Sequence, residues 1–374
     1  MSKSFSSALL VFVLLGTCGC GTGSSVKPQV KVGLVAPFEG LHRDSGYEAL
    51  CGAKLALRER NQAGGVGGYL VELVALNDDQ DPYWARQRAR EMGIDPDVMG
   101  VIGHLGEQTT LAALPVYQQL GLALVVPLSS AGAATPEAHS LVFRLVADKQ
   151  TVGAVAARYA VLDRAAQRLA VVGEDEELAE AFAATSRSLG AEVFVHEDPF
   201  AEDLVSELSR EAPELVFLVE QGLEAAELVV ELRESGLKVP ILGGPGLDTP
   251  QFVQVAGGAA VGTVYLSHAP PSSEGPFYEA YEELWASRPG TRAALAYDAC
   301  GLLLEALERS IELYGKPSRA GLAECLAALE EYQGVTGRIS FDSQGQAVER
   351  GVFLYEIVGL EYPGQPVSCQ SCGL

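Results

Sequence analysis

The chain has 374 residues, room for two domains with cores of their own at about 100–200 residues per domain. Apolar residues make up 48% and charged residues 20%, a globular balance that excludes a disordered chain. Acidic side chains outnumber basic ones 49 to 26, for a net charge of −23; this excludes nucleic acid as a partner, because a polyanion binder needs an excess of Lys and Arg.

The first residues set the compartment. Residues 2–7 are polar apart from Phe5 and carry one cation, Lys3, and Ala8 to Leu15 form an apolar run. That run is too short to cross about 30 Å of hydrocarbon but fits the apolar region of a signal peptide. Gly19 directly before Cys20 is similar to the lipobox of bacterial lipoproteins, although Thr17 stands in place of the usual leucine. Residues 1–19 are therefore predicted to be a signal peptide, Cys20 the lipidation site, and residues 20–29 a tether. An ordinary secretory signal with incidental cysteines is the alternative. On both readings the protein is exported, facing the periplasm or the cell exterior. No later segment has a long uninterrupted apolar span, so a lipid on Cys20 would be the one membrane attachment.

The mature chain then reads as a strand–helix rhythm. Val30 to Val35 is a short β-branched strand, Tyr47 to Asn61 a helix with Leu50, Ala53 and Leu57 on one face, and Leu70 to Leu76 the next strand. Helix Pro82–Met92, strand Val98–Ile102, helix Thr109–Leu120 and strand Leu122–Val126 follow. The pattern restarts with strand Leu169–Val172, helix Leu178–Leu189 and strand Glu192–Val195. Helix Ala201–Arg210, strand Leu215–Val219, helix Glu224–Ser235 and strand Val239–Leu242 complete it. Such alternation demands parallel sheets with right-handed crossovers. Two runs separated near Ala147 to Gln150 predict an α/β protein of two doubly wound parallel-sheet lobes. Ligands in open α/β sheets sit at the carboxyl ends of strands, which places a site in the cleft between the lobes.

Other patterns carry less. Gly64 to Gly68 follows a helix and precedes a strand, the reverse of a dinucleotide fingerprint, and reads as a turn. His42, His104, His139, His196 and His268 show no metal-ligand spacing. No Gly-x-Ser-x-Gly elbow is present, and no Cys has a credible His partner. The chain is read as a non-enzyme without metal or cofactor. Cys51, Cys300 and Cys325 fall in apolar helical patterns and read as buried thiols. Cys369 and Cys372, near a chain end expected to fray, read as a local disulfide rather than a metal site.

The ordered markers Lys31-Val32-Gly33-Leu34-Val35-Ala36-Pro37, Gly52-Ala53-Lys54, Asn61-Gln62-Ala63-Gly64-Gly65-Val66-Gly67-Gly68 and Asp78-Asp79-Gln80-Asp81-Pro82 come first. Val101-Ile102-Gly103-His104, Pro127-Leu128-Ser129-Ser130, Ala296-Tyr297-Asp298-Ala299 and Gly334-Val335-Thr336-Gly337 follow. From about Val30 to Leu360 the chain resembles the type I periplasmic solute-binding proteins of the leucine/isoleucine/valine-binding class, which serve ABC importers. The resemblance implies two interwoven lobes with chain passages near Ala147, His268 and Gly337. Lobe 1 is expected over 30–146 and 269–336, lobe 2 over 147–268 and 337–374.

The same resemblance implies a site. Glu107 and Thr109 in the loop after the Val-Ile-Gly strand, with Leu128, Ser129 and Ser130 after the next, would hold a ligand's carboxylate. Glu107 stands where a serine is common, and a carboxylate there would repel another. In lobe 2 the acid expected for a ligand's ammonium is not clearly filled: Pro245 occupies that region and Asp248 lies near it. Leu178 and Gln221 replace aromatics, and Glu174 belongs to the acidic run Glu174 to Glu177, which equally suits a helix N-terminus. These departures favour a cationic or amide ligand over a branched-chain amino acid. The implied function is a lipid-anchored receptor delivering a small, amino-acid-like ligand to an ABC permease. A sensory receptor of the same fold is the alternative, and an enzyme the third.

Overall fold

The computed structural model describes residues 27–130, 141–271 and 274–372. The predicted signal peptide, Cys20 and the tether up to residue 26 lie outside the described residues.

The first sheet is built from β1 (Gln29–Ala36), β2 (Leu70–Asn77), β3 (Val98–Gly103), β4 (Ala123–Val126) and β5 (Val142–Arg144). All pairs are parallel and the order is β2-β1-β3-β4-β5. Between the strands run α1 (Arg43–Gln62), α2 (Pro82–Ile94) and α3 (Glu107–Gln119). Every residue of β3 is buried, as its unbroken apolar run requires of a strand covered on both faces. The start of α2 is fixed locally: Asp81 accepts hydrogen bonds from the backbone N–H groups of Tyr83 and Trp84, and Pro82 occupies the first turn.

The chain then enters the second lobe through α4 (Lys149–Arg158), β6 (Arg168–Val172), α5 (Glu176–Ser188) and β7 (Glu192–His196). It continues through α6 (Leu204–Glu211), β8 (Leu215–Leu218), α7 (Gly222–Glu234), β9 (Ile241–Gly243), α8 (Pro250–Ala256) and β10 (Val264–Ser267). It returns to the first lobe with α9 (Pro276–Trp285), α10 (Thr291–Tyr314), α11 (Arg319–Ala327) and the ribbon β11 (Tyr332–Gly334) and β12 (Gly337–Ile339). Finally β13 (Phe353–Glu356) and β14 (Gln365–Val367) join the second sheet, whose order is β14-β13-β10-β9-β8-β6-β7. The predicted α/β architecture is thus present, with one difference. The second sheet is parallel from β7 to β10 and antiparallel at β13 and β14, because β13 arrives from the other lobe and β14 turns back beside it, neither through a helical crossover.

α10 closes the first core, its Leu295, Leu302 and Leu303 packing with Val32, Leu34, Ile102 and Val125 of the sheet. α2 and α3 cover the opposite face with Ala85, Ala89, Met92, Leu114 and Tyr117. In the second lobe, Phe182 of α5 stacks on Phe217 of β8, ring centroids 4.4 Å apart, while Leu228, Leu232 and Phe252 fill the other face.

Two of the passages between lobes run side by side. Arg144 N–H donates to Gly345 O at 2.8 Å and Ala347 N–H to Arg144 O at 2.9 Å, while the Gln346 side chain donates to Val146 O at 2.6 Å. Ile339 and Ala347 still pack in the first core, and Val352 and Leu354 pack in the second. Residues 345–347, after the ribbon, remain bonded alongside β5.

Residues 369–372 are tied to the second lobe. Cys369 and Cys372 form a disulfide, Cys372 is buried in the second core, and Gln370 N–H donates to Asp163 at 3.0 Å. Cys300 and Cys325 are buried thiols, whereas Cys51 is only half-buried.

Candidate interlobe ligand site

A cavity of about 470 Å³ opens between the two sheets at the carboxyl ends of their strands. All eight positions singled out in the sequence line it: Glu107, Thr109, Leu128, Ser129 and Ser130 from the first lobe, and Glu174, Gln221 and Asp248 from the second. Their placement follows from topology, since each loop leaves the end of a parallel strand or opens the helix after it.

The first-lobe wall is a helix start. Gly106 is the N-cap of α3, and the Thr109 hydroxyl donates to its carbonyl at 3.0 Å. Thr109 and Ser129 are buried, while Leu128 and Ser130 are partly exposed. A Cβ on Gly106 would meet Gln80 Cγ at 3.3 Å, so the Gln80 side chain packs closely against this helix start. Behind this wall, buried His104 is held between Asp78, 2.6 Å from its Nδ1, and the Tyr117 hydroxyl, 3.2 Å from its Nε2. His104 therefore supports the loop from within the core and does not reach the cavity.

Lys149 is the residue that sequence reasoning missed on this wall. Its ammonium lies 2.8 Å from Glu107 in the first lobe and 2.9 Å from Asp175 in the second, bridging the cleft. Burial pulls the Lys149 pKa down, but hydrogen bonds to Glu107 and Asp175 outweigh it and hold the ammonium above its ordinary value. Glu107 consequently does not face the cleft as a bare charge.

The second-lobe wall is acidic, and two of its carboxylates are buried. Glu220, the residue after β8 and Val219, is 9% exposed and accepts a hydrogen bond from Glu174 N–H at 2.6 Å. Burial pushes its carboxyl above the usual range, and the neighbouring Glu174, Glu224 and Asp175 add to that direction. Asp248 is 4% exposed; its Oδ1 accepts from the Tyr362 hydroxyl at 2.8 Å, and Oδ2 has no partner among the described residues. Arg292, from the start of α10, donates to the main-chain carbonyl of Asp248 at 2.5 Å rather than to its carboxylate. His268 is buried with Nδ1 unpartnered; burial, and secondarily Arg350, lower its pKa to about 3, so the ring is neutral. Glu174 and Gln221 are exposed at the rim. Of these, Glu220 was findable from its place directly after a predicted strand. Arg292 carried no local signal.

The periplasmic binding protein family profile matches residues 29–361. The chain belongs to the periplasmic binding protein family. It is 24% identical, over 95% of its own length and 97% of the relative's, to the leucine-, isoleucine-, valine-, threonine- and alanine-binding protein of Pseudomonas aeruginosa. A leucine binding protein from Thermotoga maritima superposes with a TM-score of 0.80 at 25% identity, covering 89% of this chain and 96% of that one. A branched-chain amino acid transporter substrate binding protein from Streptococcus pneumoniae, in complex with isoleucine, gives 0.80 at 22% identity, covering 91% and 99%.

As a periplasmic binding protein, the chain keeps the family frame and varies the lining. Pro245 and Gln221 line the cavity where the resemblance led us to expect an acid and an aromatic, and Glu220 and Asp248 bring carboxylates to the same wall. Six aliphatic side chains, Leu105, Leu128, Val146, Val152, Leu178 and Val219, complete the lining. That combination suits a ligand with a short apolar body and polar ends.

Proposed function

We propose that this protein is an exported, lipid-anchored solute receptor that captures a small amino-acid-like ligand between its lobes and delivers it to an ABC permease. The observation that carries the reading is the 470 Å³ cavity walled from both lobes at strand ends, in a chain of this family. The relatives named above bind amino acids by their own names, which supports the ligand class. A ligand's carboxylate would meet Ser129, Ser130 and the N–H groups at the start of α3, where the helix end offers partial positive charge. Its ammonium would meet the acids of the second lobe. Contacts to both walls exist only when the lobes are together, so binding shifts the population towards the closed form, which the permease would recognise.

A thermal-shift screen of amino acids, amides and amines against the mature protein tests this. A ligand at about 100 times its dissociation constant adds about 2.7 kcal/mol of stability, a readable shift. No stabilisation by any compound would overturn the reading. For the anchor, radiolabelled palmitate should enter the wild-type protein in a lipoprotein-processing host and not the Cys20→Ala variant. Equal labelling, or none in either, would remove the lipid from the proposal.

A further inference from the structure

The charges lining the cavity do not balance. Glu107, Glu174, Asp175, Glu220 and Asp248 face Lys149 and Arg292, a surplus of three negative charges. Lys149 is occupied, bound to Glu107 and Asp175. Arg292 spends its hydrogen bond on the Asp248 main chain. Among the described residues, no ion pair reaches the carboxylates of Glu174, Glu220 or Asp248. A solvated acidic surface does not explain this, because Glu220 and Asp248 are 9% and 4% exposed. Burying a carboxylate without a cation costs free energy that water would otherwise spare. The Asp248 Oδ2 and the His268 Nδ1, both without a partner among the described residues, lie on this same wall, so acceptors stand ready for donors that those residues do not supply.

A zwitterionic amino acid with a neutral side chain brings one ammonium and one carboxylate, and leaves the surplus unchanged. A ligand with a further cationic nitrogen reduces it. We infer that the site selects small ligands carrying a positive charge beyond that of the α-ammonium, an amine or guanidine at the end of a short aliphatic chain, with Glu220 and Asp248 as its acceptors. The inference rests on the solute-receptor reading above and names its ligand class. The aliphatic residues of the lining would lie along the methylenes, and the neutral His268 ring adds an acceptor without adding a competing charge.

Isothermal titration with lysine and norleucine isolates the terminal ammonium, since the two differ only there in charge. Lysine, ornithine or arginine should bind at least tenfold tighter than norleucine or leucine. Putrescine, which lacks the carboxylate, separates a diamine site from a diamino-acid site. The lysine-to-norleucine ratio should fall at least tenfold in Glu220→Gln and in Asp248→Asn, and Asp248→Glu should restore part of it; melting curves of the unliganded variants report folding. If Asp248→Asn fails to fold, Glu220→Gln carries the test. Norleucine or leucine binding as tightly as lysine would overturn the inference and leave the receptor reading standing. An absence of binding by every small molecule in the broader screen would remove both.

Discussion

His268 shows how one buried side chain can set an acid limit. Its pKa is lowered to about 3 by burial, while an unfolded histidine titrates near ~6.5. Between those values the unfolded chain binds the proton and the folded one does not, so stability is lost as pH falls through that window. The slope from this group is about 1.4 kcal/mol per pH unit. Urea unfolding between pH 7 and pH 4 should show a shallower loss for His268→Gln than for the wild type; parallel curves would contradict the assignment. Asp298 acts through hydrogen bonds instead. It is fully buried in α10 and accepts hydrogen bonds from the N–H groups of Val335 and Thr336 at 2.8 and 2.9 Å, and Arg350 reaches the Thr336 hydroxyl at 2.7 Å. Asp298→Ala strands those donors and should cost about 2–4 kcal/mol by equilibrium unfolding. The sequence markers Ala296 to Ala299 and Gly334 to Gly337, far apart in the chain, are thus two halves of one contact. Cavity-lining residues were legible where they follow a strand or open a helix, as with Ser129, Thr109 and Asp248. Lys149 and Arg292 were not, because their partners Glu107 and Asp248 are distant in sequence, and only the fold brings them together.

At the scale of elements, the strands were the easiest part to read. Their β-branched runs are uninterrupted because both faces are covered, and Val98, Val101 and Ile102 are each 0% exposed. What no local pattern announced is the companion of α1. That helix packs against α10, more than two hundred residues later, so closely that a Cβ on Gly52 would stand 2.0 Å from the carbonyl oxygen of Ala293. Because that obstacle is backbone, Gly52→Ala must push the helices apart, and a loss of about 1–3 kcal/mol is expected. Gly258→Ala, where nothing lies within 4 Å of the added carbon, is the matched control. Calorimetric melting should lower the midpoint for the first and leave the second close to wild type. The antiparallel arrival of β13 was equally hidden, since strand pairing direction depends on which lobe the chain has just left.

At the scale of the molecule, the Glu107–Lys149–Asp175 bridge is the contact to test. Lys149 is 14% exposed and Glu107 39%, so solvent screens the pair and its worth is about 0.5–1 kcal/mol. Lys149→Met would leave Glu107 and Asp175 facing each other across the cleft without their cation. Small-angle scattering of the unliganded protein should then give a larger radius of gyration than the wild type, by a margin that shrinks as salt rises. An unchanged radius at low salt would show that the bridge does not hold the lobes.

The interlacing of the lobes also has a temporal side. A chain that emerges N-terminus first exposes β1 to β5 long before α10, whose Leu295, Leu302 and Leu303 complete their core. The block from α4 to β10, by contrast, is contiguous and lacks only the late strands β13 and β14. The lobe that begins second is therefore positioned to finish most of its structure first, while the opening one waits, one apolar face bare, for a helix not yet made. Any truncation before Thr291 would strand it in that state.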